Sequence, residues 1–502
     1  MDRTFLTYNA LDSACMLEIH NKFWPSLKED GYEQAYNLTV DLFPVLQFMQ
    51  EFGMKVDLDL LQETKKEVQE QIHSRQVDLD RLCGRPLNVN SSKDCITYFY
   101  GELNLPPITD KKSKKLTTND LAMQRLARGT AKNPGVPQAS LVQQVRGLQK
   151  LYSTYLNIQF DEDNRMRGSY NPRGTKFGRL SSSKTIRNTG MNFQNLPQEF
   201  KKFLVADEDY VLLEVDKRQA EWVVVAYLAN DANMIQAIKE GVDVHAYTAS
   251  LMFGMPIDFV KEENKLVGHT TNPEEIQRIR YSHPEIKDRI AGNWPRTMSL
   301  RQCGKKSNHG LNYDEGYKNF ALINSIEERE ARRIVEMYHS IYPGIRIMYD
   351  AIKRQLQKDR TLINCFGRKI FFMEDWCKDM WKSAYACLPQ STVVDCVNQA
   401  MIHMYHDEYL TKTCNINILA QVHDSILLEV PRKIALDPME WPRIVDKIYT
   451  YLSPTLSYNG VSFTIKNDMK MGYNWGEQTD TNKQGMRDVW AHSEVVKHFG
   501  SN

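Results

Sequence analysis

No two of the nine cysteines in this 502-residue chain stand in a CxxC spacing, and none falls at a Cys/His metal spacing. That excludes a zinc ribbon or a disulfide framework and leaves free thiols in a reducing compartment. No apolar run approaches the roughly eighteen residues of a membrane span. The opening MDRTFLTYNALD is polar and mixed, unlike a signal peptide. A surplus of one charge is missing too: 64 Lys and Arg against 63 Asp and Glu give a formal net charge of +1. Internal repeats and low-complexity tracts are absent as well. What is present, 42% hydrophobic and 25% charged residues, is the composition of an ordinary globular protein. Its length predicts two or three packed subdomains. The expectation is a cytoplasmic enzyme with no membrane partner.

Residues 33–60 read as a helix followed by a short strand, and Leu61 to Leu82 as a charged helix. A Pro/Asn/Ser loop follows at 86–92, and 105–120 (LPPITDKKSKKLTTND) is the most linker-like stretch. Leu141 to Leu156 reads as another helix, 161–197 as irregular, and 255–298 as helices joined by polar loops. From 376 onward, helix, strand, turn and strand succeed one another. Basic residues gather locally, in KKSKK at 111–115, at Lys184 with Arg187 and at Lys305 with Lys306. Each cluster alone reads as a solvated face; together they suit a path for nucleic acid. The coarse class is α/β, with a small sheet.

Two carboxylates carry the chemistry. VLLEV before Asp216 is a short buried strand and QAEWVVVAYLA after it a helix, so Asp216 sits at a strand-to-helix turn. Asp424 interrupts two apolar runs, NINILAQV and SILLEV, as the tip of a β-hairpin. Either acid alone reads as a turn former. Between them RQCGKKSNHGLNY repeats a functional residue every fourth position: Arg301, Lys305, His309, Tyr313. On a helix these share one face, with two cations suited to a triphosphate and rings beyond them to pack on a nucleotide. Gly310, in mid-helix, marks a close approach. Phosphoryl transfer needs two metal ions about 4 Å apart, and hard Mg²⁺ prefers carboxylate oxygens. Acids on two strands and a cationic helix between them therefore point to templated nucleotidyl transfer.

These segments carry a resemblance. Residues 33–502 resemble the polymerase part of family A DNA polymerases, the class of bacterial DNA polymerase I and many phage replicases. VDKRQAE is similar to its motif A, RQCGKKSNHGLNY to motif B and QVHDS to motif C. LNVNSS, FGRLSSS, NFQNLP, DVHAYTASLMFG, LPQSTVVD and MGYNWGE match in the right places. The resemblance implies a right-hand fold with a palm sheet and mostly helical fingers and thumb. Its expected divisions are palm entry at 33–60, thumb at 61–160, palm with motif A at 161–235, fingers with motif B at 236–375 and palm with motif C at 376–502. Segment 255–298 is expected to be an insertion in the fingers.

By the same resemblance, Asp216 and Asp424 would bind two Mg²⁺ ions, with Mn²⁺ able to substitute. Arg301 and Lys305 would contact the triphosphate, and His309, Tyr313, Gln219 and His245 the nucleotide, although His245 reads equally as a buried structural histidine. Glu221 would be the steric gate under the sugar. Arg179, Gln390 and His423 would contact the primer terminus and minor groove, Arg146 and Lys150 the duplex, and Asn192, Gln194 and Asn195 the backbone near the template. Primer-template DNA and dNTPs are the implied partners.

The chain departs from the family pattern in several places. His309 stands where Phe or Tyr is usual, and an imidazole there would make nucleotide KM depend on pH between about 6 and 8. Ser425 removes the acid that usually follows the motif C aspartate, with Glu429 a partial substitute. Lys217, Arg218 and Val223 are atypical in motif A, and Asp314 stands where Gly is usual. TYNALDSACMLEI resembles the last motif of a DnaQ-like 3′–5′ exonuclease, with Tyr8 and Asp12 in its YxxxD positions, so 1–32 reads as the end of such a region. A separate exonuclease polypeptide, other replisome proteins or a truncated chain would account for the rest. A single-subunit RNA polymerase shares the palm, but Glu221 and GRLSSS argue against it. A non-catalytic nucleic-acid clamp is countered by the intact Asp216, Asp424, Arg301 and Lys305.

Overall fold

The computed structural model describes residues 3–110, 113–129, 134–268, 270, 272–290, 294–324 and 326–500; Lys111 and Lys112 of the basic run lie outside them. At its centre is a five-stranded antiparallel sheet. Its strands are β1 (Tyr210–Lys217), β2 (Asn417–Val422), β3 (Ser425–Pro431), β4 (Asn467–Gly472) and β5 (Arg487–Asp488), in the spatial order β5-β4-β1-β3-β2. β2 and β3 form a hairpin with only His423 and Asp424 between them, and His423 takes the left-handed conformation (φ 56°) that such a tight turn demands. SILLEVP is buried along its whole length, which is why it reads as an unbroken apolar run.

Three large hydrophobic cores and one small one surround this frame among the described residues. The first packs the sheet against α2 (Glu33–Phe52) through Leu42, Val45, Leu46 and Met49. The second is the helical core that holds the 222–388 region together, and Trp222, Phe253, Leu311 and Tyr338 belong to it. The third, with Leu79, Phe99, Met123 and Val142, is the private core of an arm built on α3 (Leu58–Cys83) and α4 (Pro137–Lys150). Asp57 caps α3 by accepting from Leu60 N at 3.0 Å. N-terminal to all of this, α1 (Arg3–Glu29) displays Tyr8 and Asp12 to solvent. No helix of the described residues is long and apolar enough to cross a membrane.

Six further helices frame the cleft: α5 (Ala220–Leu228), α6 (Val244–Phe253), α7 (Ile257–Val267), α8 (Pro273–Ser282), α9 (Leu300–Leu311) and α10 (Lys378–His406). α10 serves two cores. Met380, Ala384 and Tyr385 pack into the helical core, while Val397, Met401 and Met404 lie under the sheet. A boundary at 375/376 therefore separates segments of chain but not cores.

The 255–298 region is welded to the start of α9. Glu263 on α7 and Arg280 on α8 form a buried ion pair, Nη2 to Oε1 at 2.6 Å. Arg280 also donates to the Pro295 and Met298 carbonyls, at 2.6 and 3.1 Å. The second Glu263 oxygen accepts from Leu300 N at 2.9 Å, and Ser299 Oγ caps the same helix by accepting from Gln302 N. A negative charge is thus buried at the positive end of α9. Replacing Arg280 by Met leaves Glu263 buried and unpaired, an expected cost of about 3–5 kcal/mol. Denaturant unfolding should show that loss, and the double change Glu263→Gln/Arg280→Met should recover much of it.

Candidate active site

The side chains of a strand alternate between faces, so Glu214 and Asp216 look into the cleft while Val215 and Lys217 look away. Antiparallel register sets Asp216 opposite Ser425 of β3 and opposite Asp468 of β4. Asp424 is thereby brought beside Asp216, and Lys217 N donates to the Asp424 carbonyl at 3.3 Å. Both carboxyls are pushed above the usual carboxylate range. Loss of hydration at the cleft floor is the main cause for each; for Asp216 the negative charges of Asp424, Glu214 and Asp468 follow, and for Asp424 that of Glu221. Oxygen donors that disfavour one another's ionisation are what a hard divalent cation would relieve. Among the described residues no group of three or more His, Cys, Asp and Glu converges on one point. A cation held here would draw its remaining ligands from substrate and water.

Beside these acids lies a cavity of about 340 Å³, with Arg179, Glu221, His245, His309, Tyr313 and Asp424 in its wall. Gln219 and His423 line it too. Gln219 holds φ 53° at the turn from β1 into α5, a left-handed conformation that a non-glycine residue rarely adopts. The Glu221 carboxylate is clamped, one oxygen by Arg179 and the other by the Tyr313 hydroxyl at 2.6 Å. Burial, reinforced by the Glu221 charge, holds the Tyr313 phenol well above its ordinary range, so it stays a donor.

α9 ends at Leu311. Arg301, Lys305 and His309 share its face as the spacing predicts, but Tyr313 lies in the turn beyond and reaches the cavity from there. That turn needs Asp314 at φ 58°, which accounts for the usual glycine at this position; Asp314 N is held by the Tyr349 hydroxyl at 2.8 Å. The close approach at Gly310 is made by Glu315, whose carboxylate lies 1.9 Å from where a Cβ would be. Gly304, unremarked in the sequence, matters more to the site. A Cβ there would sit 2.2 Å from the His245 carbonyl, so only glycine lets α9 lie against α6. Asn308 then reaches His245 Nδ1 at 3.0 Å and accepts from the buried Thr248 hydroxyl at 3.0 Å.

Arg301 donates from Nε to Asp243 at 2.7 Å, while Lys305 is exposed along the same face. Asp243, also the N-cap of α6, is a positioning group that sequence spacing did not single out. His245 satisfies both of its readings, being half-buried and in the cavity wall; burial pushes its imidazole down to about 4, so it is neutral.

The residues assigned to DNA contacts are distributed unevenly. Gln194 brackets the β2–β3 hairpin, donating to the Gln421 carbonyl at 2.7 Å and accepting from His423 N at 3.2 Å. Asn192 accepts from Ser182 Oγ at 2.8 Å, and the Asn195 carbonyl accepts from the Tyr155 hydroxyl at 3.5 Å. Gln390 is half-buried on α10, one turn before Val393 and Val394 of the cavity wall. Lys150 is exposed at the end of α4, whereas Arg146 turns inward and donates to the Val89 and Thr118 carbonyls at 2.6 and 2.5 Å. Arg146 is thus a brace of the arm's own core.

The substitute acid expected at Glu429 is not at the site. It faces Leu212 at the far end of β3 and accepts from Asp207 N at 2.6 Å, and burial raises its carboxyl to about 7. The atypical motif A residues each have a local use. Lys217, fully buried on the back face, donates to the Leu452 carbonyl at the last turn of α11 (Glu440–Leu452). Arg218 pairs with Asp468, and Val223 joins a small core with Tyr227 and Phe463. A larger cleft of about 980 Å³ opens between the arm and the helical region, past Leu105, Leu121 and Leu322, and is lined by neither Asp216 nor Asp424.

The expected titration of His309 is also revised. Burial, then the Lys305 charge, lowers its pKa below 6.5, only partly offset by Glu221. The ring of the free chain is thereby weighted toward its neutral form, and the titration expected between about 6 and 8 moves toward the acid end of that range. Nucleotide kcat/KM profiles of wild type and His309→Phe should run parallel between pH 7 and 8. Profiles that diverge between pH 7 and 8 would contradict this.

The family model described as DNA polymerase family A matches residues 58–272 and 285–477. The unmatched stretch 273–284 coincides with α8 and the turn after it, which narrows the atypical part of the 255–298 region. The thermostable DNA polymerase I of Thermus filiformis is 27% identical over 447 residues, covering 85% of this chain and 47% of that protein. DNA polymerase I of Pseudomonas aeruginosa is 25% identical over 442 residues, covering 84% and 43%. The chain thus spans less than half the length of these relatives. In fold it is similar to the POL domain of Pol1 from M. smegmatis, solved in complex with DNA primer-template and dNTP. The TM-score is 0.69 at 23% identity, over 87% of this chain and 70% of that one. A family match across most of the chain, on a fold that sets Asp216 and Asp424 side by side, makes this protein a member of DNA polymerase family A.

Proposed function

We propose that the chain is a template-directed DNA polymerase that adds deoxynucleotides to a primer 3′ end by two-metal-ion transfer. The observation that carries this reading is the placement of Asp216 on β1 beside Asp424 in the turn that opens the paired strand β3, at the edge of a cavity walled by Glu221, His309 and Tyr313. The two aspartates would hold Mg²⁺, or Mn²⁺ in its place, and the ions supply Lewis-acid stabilisation of the attacking and leaving oxygens. Arg301 and Lys305, a turn apart on α9, orient the triphosphate. Neutral His309 packs against the nucleotide, with Gln219 and His245 behind it. Arg179, Gln390 and His423 face the primer terminus, and Lys150 the duplex. Asn192, Gln194 and Asn195 hold the template-side backbone in register with the hairpin, and Arg146 stiffens the arm.

Palm, fingers and thumb correspond in this reading to the sheet, the helical region and the arm. Replication of phage or similar DNA in a host cytoplasm is the setting proposed. Residues 1–502 by themselves supply Asp12 and not the further carboxylates of a two-metal nuclease, so this stretch alone should not excise a mismatched primer end.

Primer extension on a defined template with Mg²⁺ tests the activity. Asp216→Asn or Asp424→Asn should abolish extension and leave duplex binding largely intact; extension at near wild-type rate in either variant would refute the assignment. Sugar selection should rest on Glu221, whose carboxylate is fixed from two sides and leaves no room for a 2′-hydroxyl. Glu221→Ala should admit ribonucleotides, and equal rejection of NTPs by variant and parent would place the gate elsewhere.

A further inference from the structure

A third carboxylate occupies the catalytic face of the sheet. Glu214 stands two residues before Asp216 on β1, facing Leu427 of β3, and the next same-face position on β3 is Ser425. Its side chain crosses diagonally to that serine, whose single hydroxyl proton is shared between the Val422 carbonyl at 3.1 Å and Glu214 Oε1 at 3.3 Å. The carboxylate therefore fills the space over residue 425 that a longer acidic side chain rooted there would occupy. A second donor fixes it, Trp475 Nε1 at 3.0 Å to the same oxygen, and the Lys201 ammonium lies 4.3 Å from the centre of the Trp475 ring. Both direct donors are neutral, so they orient the carboxylate without cancelling its charge.

The other acids nearby are committed. Asp468 is paired with Arg218, and Glu429 is buried at the far end of β3. Lys470, the β4 residue facing Glu214, pairs instead with Glu477 at 3.6 Å. Among the described residues Glu214 has no ion-pair partner within 4 Å.

We propose that Glu214 is a positioning residue for nucleotidyl transfer: the acid absent at 425 has been relocated to the neighbouring strand, where Glu214 supplies the third negative charge beside Asp216 and Asp424. It acts on the cations through its field and through the orientation of Ser425, outside direct ligation. The proposal rests on the polymerase reading above, but its central measurement needs no turnover.

Mn²⁺ binding to the full chain, followed by electron paramagnetic resonance, is compared for wild type, Glu214→Gln and the double variant Glu214→Ala/Ser425→Glu. Glu214→Gln should weaken Mn²⁺ binding about tenfold, the size of effect expected for a group that supports metal ligands. The Mg²⁺ concentration for half-maximal primer extension should rise in parallel, with nucleotide KM and thermal midpoint near wild type. The double variant, with the acid moved back to β3, should recover both. Unchanged Mn²⁺ binding in Glu214→Gln would overturn the proposal and leave Glu214 as a brace for Trp475. A folded double variant that recovers neither property would overturn it equally. Altered Mn²⁺ binding in a chain that never extends primers would support Glu214's role while refuting the polymerase reading.

Discussion

The pairing of β1 with β3 is the constraint on which everything else depends. Side chains on a strand alternate with a period of two, so a slip of one residue would turn Asp216 into the core and bring Lys217 into the cleft. Register is held because both strands bury apolar residues on the inner face, Val211, Leu213 and Val215 on one and Ile426, Leu428 and Val430 on the other. The two-residue turn at His423-Asp424 then leaves little freedom in where the second acid falls. Gln194 holds that turn from outside, by bonds to the Gln421 carbonyl on its β2 side and to His423 N in the turn.

The departures from the family pattern become intelligible once each is traced to its neighbours. Lys217 is tolerated in a buried strand because its long stem reaches the carbonyl end of α11, where a cation is favoured. Arg218 finds Asp468 across the sheet, so its charge is paired. Ser425 gives up a charge that Glu214 supplies from the adjacent strand. Asp314 accepts a left-handed backbone, within reach of a short polar side chain, in place of the unstrained glycine.

The cavity walled by Glu221, His309 and Tyr313 depends on a helix crossing more than on any single polar residue. Gly304 allows α9 to lie on the backbone of α6, and Glu263 with Arg280 pins the start of α9 from behind. Arg301 is oriented by Asp243 across the same crossing. Arg301 and Lys305 are thus set by packing at three points along one helix.

Much of this was legible in the chain itself. The apolar runs marked β1 and β3, the interruption at His423-Asp424 marked a hairpin, and fourfold spacing placed Arg301, Lys305 and His309 on one face, because these are local periodicities. Several features were not. The end of α9 before Tyr313, the inward turn of Arg146, the remoteness of Glu429 and the lowered His309 pKa all depend on which surfaces meet, and linear spacing does not encode desolvation. Glu214 illustrates the division. Its place two residues before Asp216 is written in the sequence, but its reach to Ser425 exists only when β1 and β3 lie side by side, since cross-strand neighbours are set by register and not by distance along the chain.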